Sequence, residues 1–149
     1  VELATDGETA PSVVVQGNDK RLVDAEKVEI VIVCSDETTA IAAGTGKRNI
    51  PVPFAFTLTA ARVTVITAPT GSTIIVDINE ADVNGASGSS VLGTKLSIDA
   101  SETTSTTAAS TATITDSSIA DGGRIIIDFD QVGSSVAGAG LIVTLYGTR

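Results

Sequence analysis

The sequence predicts an all-β protein: an antiparallel β-sandwich of jelly-roll-like character behind an extended N-terminal arm. Two observations carry that expectation. Short runs of β-branched residues with period-2 alternation recur along the chain, and Gly-, Pro- or Ser-rich turn signals interrupt them about every ten residues, the spacing of a sandwich or jelly roll. A third observation is negative: no stretch repeats apolar residues at helical spacing for long enough to form an amphipathic helix.

Composition narrows the function classes. At 149 residues the chain is expected to form one domain with a single core. The formal net charge of −9 and the sequence pI of 4.2 disfavour nucleic-acid phosphates and acidic membrane surfaces as partners. Mean hydropathy is +0.33, but no run approaches the roughly 18 apolar residues needed to cross a bilayer. Residues 1–27 are charged and lack the apolar centre of a signal peptide. Cys34 is the one cysteine, so no internal disulfide forms, and its setting in VEIVIVCSD reads as a small buried apolar residue.

Taken in order, residues 1–27 mix charge, Gly and Pro with an apolar island at Val13, Val14 and Val15, and read equally as an extended arm that docks onto a partner or as a disordered tail. Residues 28–33 form a strand with Val28, Ile30 and Ile32 on one face and Glu29, Val31 and Val33 on the other. Residues 40–48 read as a Gly-spaced loop, and 49–58 as an extended stretch that Pro51 and Pro53 confine to an edge, with Phe54 and Phe56 as core anchors. Residues 61–82 read as a β-hairpin turning at Pro69-Thr70-Gly71-Ser72, and this hairpin is the expected centre of the fold. Its second arm places Ile74, Val76 and Ile78 inward and Thr73, Ile75, Asp77 and Asn79 outward.

Beyond it, 81–90 is a polar Gly/Ser loop, 91–99 a strand, 103–115 extended and rich in Thr and Ser, and 116–123 a second loop. Residues 124–132 set Ile125, Ile127 and Phe129 against Ile126, Asp128 and Asp130. After the small-residue loop 133–140, residues 141–146 set Leu141, Val143 and Leu145 against Ile142, Thr144 and Tyr146. The outward face thus carries Ile75, Ile126, Ile142, Val31 and Val33. A lone subunit exposing that much aliphatic surface would associate, so Ile75, Ile126 and Ile142 are the candidate interface between subunits.

Chemical motifs are sparse. GTGK at 44–47 lacks the rest of a phosphate-binding loop, because position 41 is Ile41 and Arg48 follows the lysine. The chain has no His, which removes Ser-His-Asp chemistry and His-containing zinc sites. The carboxylates Asp77, Glu80 and Asp82, and the pair Asp128 and Asp130, are formally able to act as glycosidase groups or to bind Ca²⁺; with no Trp and one Tyr the sugar platforms are missing, and solvated strand-face charges are the favoured reading. No catalytic, cofactor-binding or metal-binding residue is assigned.

The stretches PFAFTLTAARVTVITAPTGS (53–72), VDINE (76–80), TKLSIDASETTSTTAA (94–109) and IDFDQVGSSVAGAGLIVTLYGTR (127–149) resemble tailed-bacteriophage virion surface proteins of the head-decoration, head-fibre or tail-fibre kind. SDETTAIAAGTGK (35–47) is similar to their lead-in. The resemblance implies a jelly-roll-like domain, homotrimeric, without catalytic residues, on the virion surface. It departs at the longer loop 81–90 and at Gly122-Gly123-Arg124. The expected function is a non-enzymatic capsid decoration, cement or head-fibre protein whose arm, 1–27, anchors the 28–149 domain to the major capsid protein or another virion protein. The alternative is the receptor-binding tip of a tail fibre, touching a host surface receptor through loop residues Asn84, Gly85, Ser87 and Gly138.

Overall fold

Alternating apolar residues need a second apolar face, and this chain supplies it by folding its strands into two stacked antiparallel sheets. The computed structural model describes residues 26–86 and 88–149. Their order is β1 (Lys27–Val33), β2 (Gly44–Pro51), β3 (Phe56–Thr64), β4 (Ile74–Ala81), β5 (Ser89–Ser90), β6 (Leu92–Thr94), β7 (Leu96–Ile98), β8 (Thr113–Ile114), β9 (Ser118–Ile119), β10 (Arg124–Gln131) and β11 (Ile142–Thr148), with no helix among the described residues. One sheet, here sheet A, runs β1-β11-β3-β9; the other, sheet B, runs β2-β10-β4-β5, with β7 also paired to β4; β6 and β8 pair in a separate two-stranded ladder. From β1 to β4 and again from β9 to β11 successive strands alternate between the sheets, and the resulting order is that of a jelly roll. The expected arm lies outside the described residues apart from its last two.

The core forms where the expected inward faces meet. Ile74, Val76 and Ile78 of β4 and Ile125, Ile127 and Phe129 of β10 are buried against Ile32, Leu58, Val63, Val143 and Leu145 of sheet A. Each such side chain contributes roughly 1.5–3 kcal/mol of transfer free energy. Phe56 is buried with them, and Phe54 packs edge-on against it at 6.4 Å between ring centres.

The expected hairpin does not exist. β3 pairs with β11 and β9, whereas β4 pairs with β10, β5 and β7. Residues 65–73 cross from one sheet to the other, and in crossing pair with the 136–139 segment at Thr67–Ala139 and Thr70–Val136. Two strands stacked face to face across a core show the same alternation as two strands side by side, so the pattern does not separate a hairpin from a crossover. The turn chemistry itself holds: Gly71 takes φ +84°, and Pro69 is buried beside it.

Three smaller corrections concern lengths. Gly44 to Arg48, expected as loop, belongs to β2, an edge strand that ends at Pro51 and is paired with β10 through a register shift between Ile127 and Phe129. The strand expected over 91–99 breaks into β6 and β7 around Lys95. Of residues 103–115, only Thr113 and Ile114 are strand.

Candidate functional site

The outward face of sheet B is polar because its carboxylates organise the fold. Asp77 stands on β4 opposite Asp128 of β10. It is not solvated as expected but buried, and its charge is met on every side. Ser90 Oγ donates to Asp77 Oδ1 at 2.5 Å, the Ile78 N–H donates to the same oxygen at 2.9 Å, and Lys95 Nζ lies 2.9 Å from Oδ2. Lys95 also pairs with Asp130. The hydrogen bonds from Lys95 to these two carboxylates hold its ammonium above the usual lysine range. Asp128 accepts from the Gly46 N–H at 2.5 Å and from Asn79 Nδ2 at 2.9 Å, so it ties edge strand β2 and strand β4 to β10.

The remaining acidic candidates hold loops. Glu80 Oε1 accepts from the Ala120 N–H at 2.7 Å, and Asp82 Oδ1 accepts from the N–H groups of Asn84 and Ala86 at 2.9 and 3.1 Å. Among the described residues no group of three or more His, Cys, Asp or Glu side chains is arranged to hold a metal ion. The place between Asp77 and Asp130 that a cation would need is taken by Lys95. This lysine went unread in the sequence, although it is the one Lys or Arg between Arg62 and Arg124, a signal strong enough to have marked it.

The three aliphatic interface candidates fall on two different surfaces. Ile75 and Ile126 lie half-buried on the outward face of sheet B, where Ile126 is flanked by Asn49 and Asn79. Ile142 lies half-buried on the outward face of sheet A, paired with Val33 on one side and Thr64 on the other. The two faces point in opposite directions, so one contact between two subunits cannot cover all three.

What the structure does gather is a row on sheet A. Val33 and Ile142 are cross-strand neighbours; Val31 is next on β1, and Ile66 stands over Gly140, one pair beyond Ile142. Val31 and Val33 are each 58% exposed and Ile66 57%. At this edge Arg48 reaches from β2 and donates through Nε to the Val33 carbonyl at 2.8 Å, clasping the two sheets.

The loop candidates also separate. Asn84 is exposed, and Gly85 bonds back through its N–H to the Asp82 carbonyl at 2.9 Å. Val83 beside them is 65% exposed, while Arg124 holds the loop down by donating to the Val83 carbonyl. Gly85 and Ile126 share the lining of a shallow hollow of about 340 Å³ on sheet B. Ser87 lies outside the described residues. Gly138 is buried at φ +100°, with its carbonyl accepting from the Ile41 N–H, so its loop presents Ser134, Ser135 and Val136 to solvent instead.

Cys34 is buried as expected, and burial pushes its thiol up to about 11. Asp36, in the loop that follows, is held down to about 2 by the N–H groups of Thr39 and Thr38.

No protein-family model matches the chain, and neither a curated protein nor a solved structure matches it.

Proposed function

We propose that the chain is a non-enzymatic structural protein of a tailed-bacteriophage virion, a capsid decoration, cement or head-fibre protein that stands on the particle surface as a homotrimer. The observation that carries the assembly half of this reading is the row Val31, Val33, Ile66 and Ile142, aliphatic surface on a regular sheet in a chain of net charge −9. Burying such a row between identical subunits removes apolar area from water while leaving the acidic loops outside. The virion half is supported by the sequence resemblance across 53–149.

Two measurements test it. Light scattering on the purified protein is expected to give a trimer, and cryo-electron microscopy of particles is expected to place density for the chain on the head. A stable monomer at micromolar concentration removes the first half; density on the tail alone removes the second in favour of a tail-fibre tip. That alternative draws on one observation, the exposed Val83 on the Asp82-organised loop, and predicts that shortening residues 82–88 abolishes binding to host cells.

A further inference from the structure

The free edge of β3 borders a cleft that the assembly reading leaves unused. On one side β3 is paired by β11; on the other, β9 covers only Phe56 and Thr57. Residues 103–105 take up the strand again further along, where the Val63 N–H donates to Ser105 Oγ at 3.0 Å and the Ser105 and Val65 N–H groups donate to the Val63 and Thr103 carbonyls, each at 2.9 Å. Between these two covers lies Ala61. Strand alternation turns its peptide N–H and C=O the same way as those of Val63, into a cleft of about 520 Å³ bounded across from β3 by residues 105–114. That volume falls in the range of about 300–1,000 Å³ typical of small-molecule sites.

The lining has a definite chemistry. Half-buried Ala112 and Ile114 supply apolar surface over the buried Leu92 and Leu96, and exposed Ser110 and Thr111 supply hydroxyls at the rim. Although the chain carries 18 acidic residues, none lines this cleft, and the one charged side chain that does is Arg62. Arg62 makes no ion pair or hydrogen bond among the described residues; its guanidinium is held over the Tyr146 ring at 5.2 Å. The ring contact restrains the guanidinium and leaves its N–H groups without another partner among the described residues, available to a carboxylate or phosphate in bidentate fashion. An anion is repelled by most of this surface and is accommodated here.

From these features we infer that the cleft binds a small anionic sugar, with its carboxylate or phosphate on Arg62, its hydroxyls on the Ser110 and Thr111 side chains and the Ala61 peptide groups, and its C–H face on Ala112 and Ile114. The class follows from the mixture: an anion alone would not need the hydroxyl rim, and a neutral sugar would not need an unpaired arginine. Arg62 shares the outward face of sheet A with the assembly row but lies two strands from Val31, on the far side of Thr144, so the test reads binding and assembly separately.

Amide NMR of the full chain tests it. Glucuronate and glucose 6-phosphate, which separate the carboxylate from the phosphate source, are the probes; glucose and acetate are the neutral and the non-sugar controls. Shifts are expected at Ala61, Arg62 and 105–112 with one or both acidic sugars, and binding at least about tenfold weaker for both controls. Arg62→Gln, at an exposed position that leaves the fold intact, is expected to weaken binding by at least about tenfold, the loss of one charge-assisted pair. The inference is overturned if neither acidic sugar shifts these amides, if acetate or glucose binds as well, or if Arg62→Gln binds unchanged. A trimer that ignores both sugars would overturn this inference alone, and a monomer that binds one would overturn only the assembly.

Discussion

Asp77 holds a buried charge on the outward face of sheet B. Alternation places it outward, and it is outward, but Ser90 and Lys95 close over it, so the carboxylate is both buried and paired. Removing Lys95 leaves that charge without its partner. Lys95→Met is expected to destabilise by about 1–3 kcal/mol, less than a fully buried pair would cost because the lysine is partly exposed; urea unfolding measures it. The pH sign follows from the raised lysine: its contribution is complete below the usual value of 10.5 and fades as pH climbs through the higher folded value. Substitution of Lys95 should therefore remove part of the alkaline loss of stability. Cys34 behaves in the same sense. With its thiol pushed up to about 11, iodoacetamide at pH 8 should label the native protein far more slowly than the unfolded chain. Equal rates would mean that the 34–41 loop opens readily. Asp36 has the opposite sign, its share of stability being present above the usual 3.8 and lost as pH falls through about 2.

At the scale of elements, the strands were legible and their partners were not. The inward faces of β1, β4, β10 and β11 are those that the alternation picks out, because every second residue of each strand turns into the core and the residues between carry the polar and half-buried side chains. Ile78, wholly buried at the centre of β4, should cost about 2–4 kcal/mol on change to Ala, and a loss below about 0.5 kcal/mol would contradict that burial. The crossover between β3 and β4 escaped notice because the link 65–73 carries hairpin turn chemistry while its pairing is with 136–139, far along the chain. The same long-range pairing requires Gly138 and Gly140, where a Cβ would meet Ile74 at 2.9 Å and Ile66 at 2.8 Å, while Gly133 is required by its own turn. A Cβ on Gly133 would lie 1.8 Å from the Val136 carbonyl oxygen, so Gly133→Ala must shift backbone rather than a side chain and should cost about 1–3 kcal/mol or more. The cleft beside β3 was illegible for a related reason: Arg62, Ala61 and residues 105–114 meet only because β9 is too short to cover β3.

At the scale of the whole molecule, the aliphatic residues of the outward faces divide between two surfaces, and the division makes assembly testable in a sharper form. Ile142 has exposed aliphatic neighbours in Val31, Val33 and Ile66, whereas Ile126 sits between Asn49 and Asn79. If subunits meet through sheet A, Val33→Asp with Ile66→Asp should yield monomers, since each unpaired carboxylate in an apolar contact costs several kcal/mol. Both positions are already more than half exposed in the single subunit, so the isolated fold should survive the change. Ile75→Asp with Ile126→Asp, on the opposite face, should leave the oligomer intact. Because association is governed by mass action, the melting temperature of the unmutated protein should rise with concentration and that of the sheet A variant should not. A concentration-independent melting temperature in the unmutated chain would remove the association, and dissociation by the sheet B pair alone would move the contact away from the row of Val31, Val33, Ile66 and Ile142.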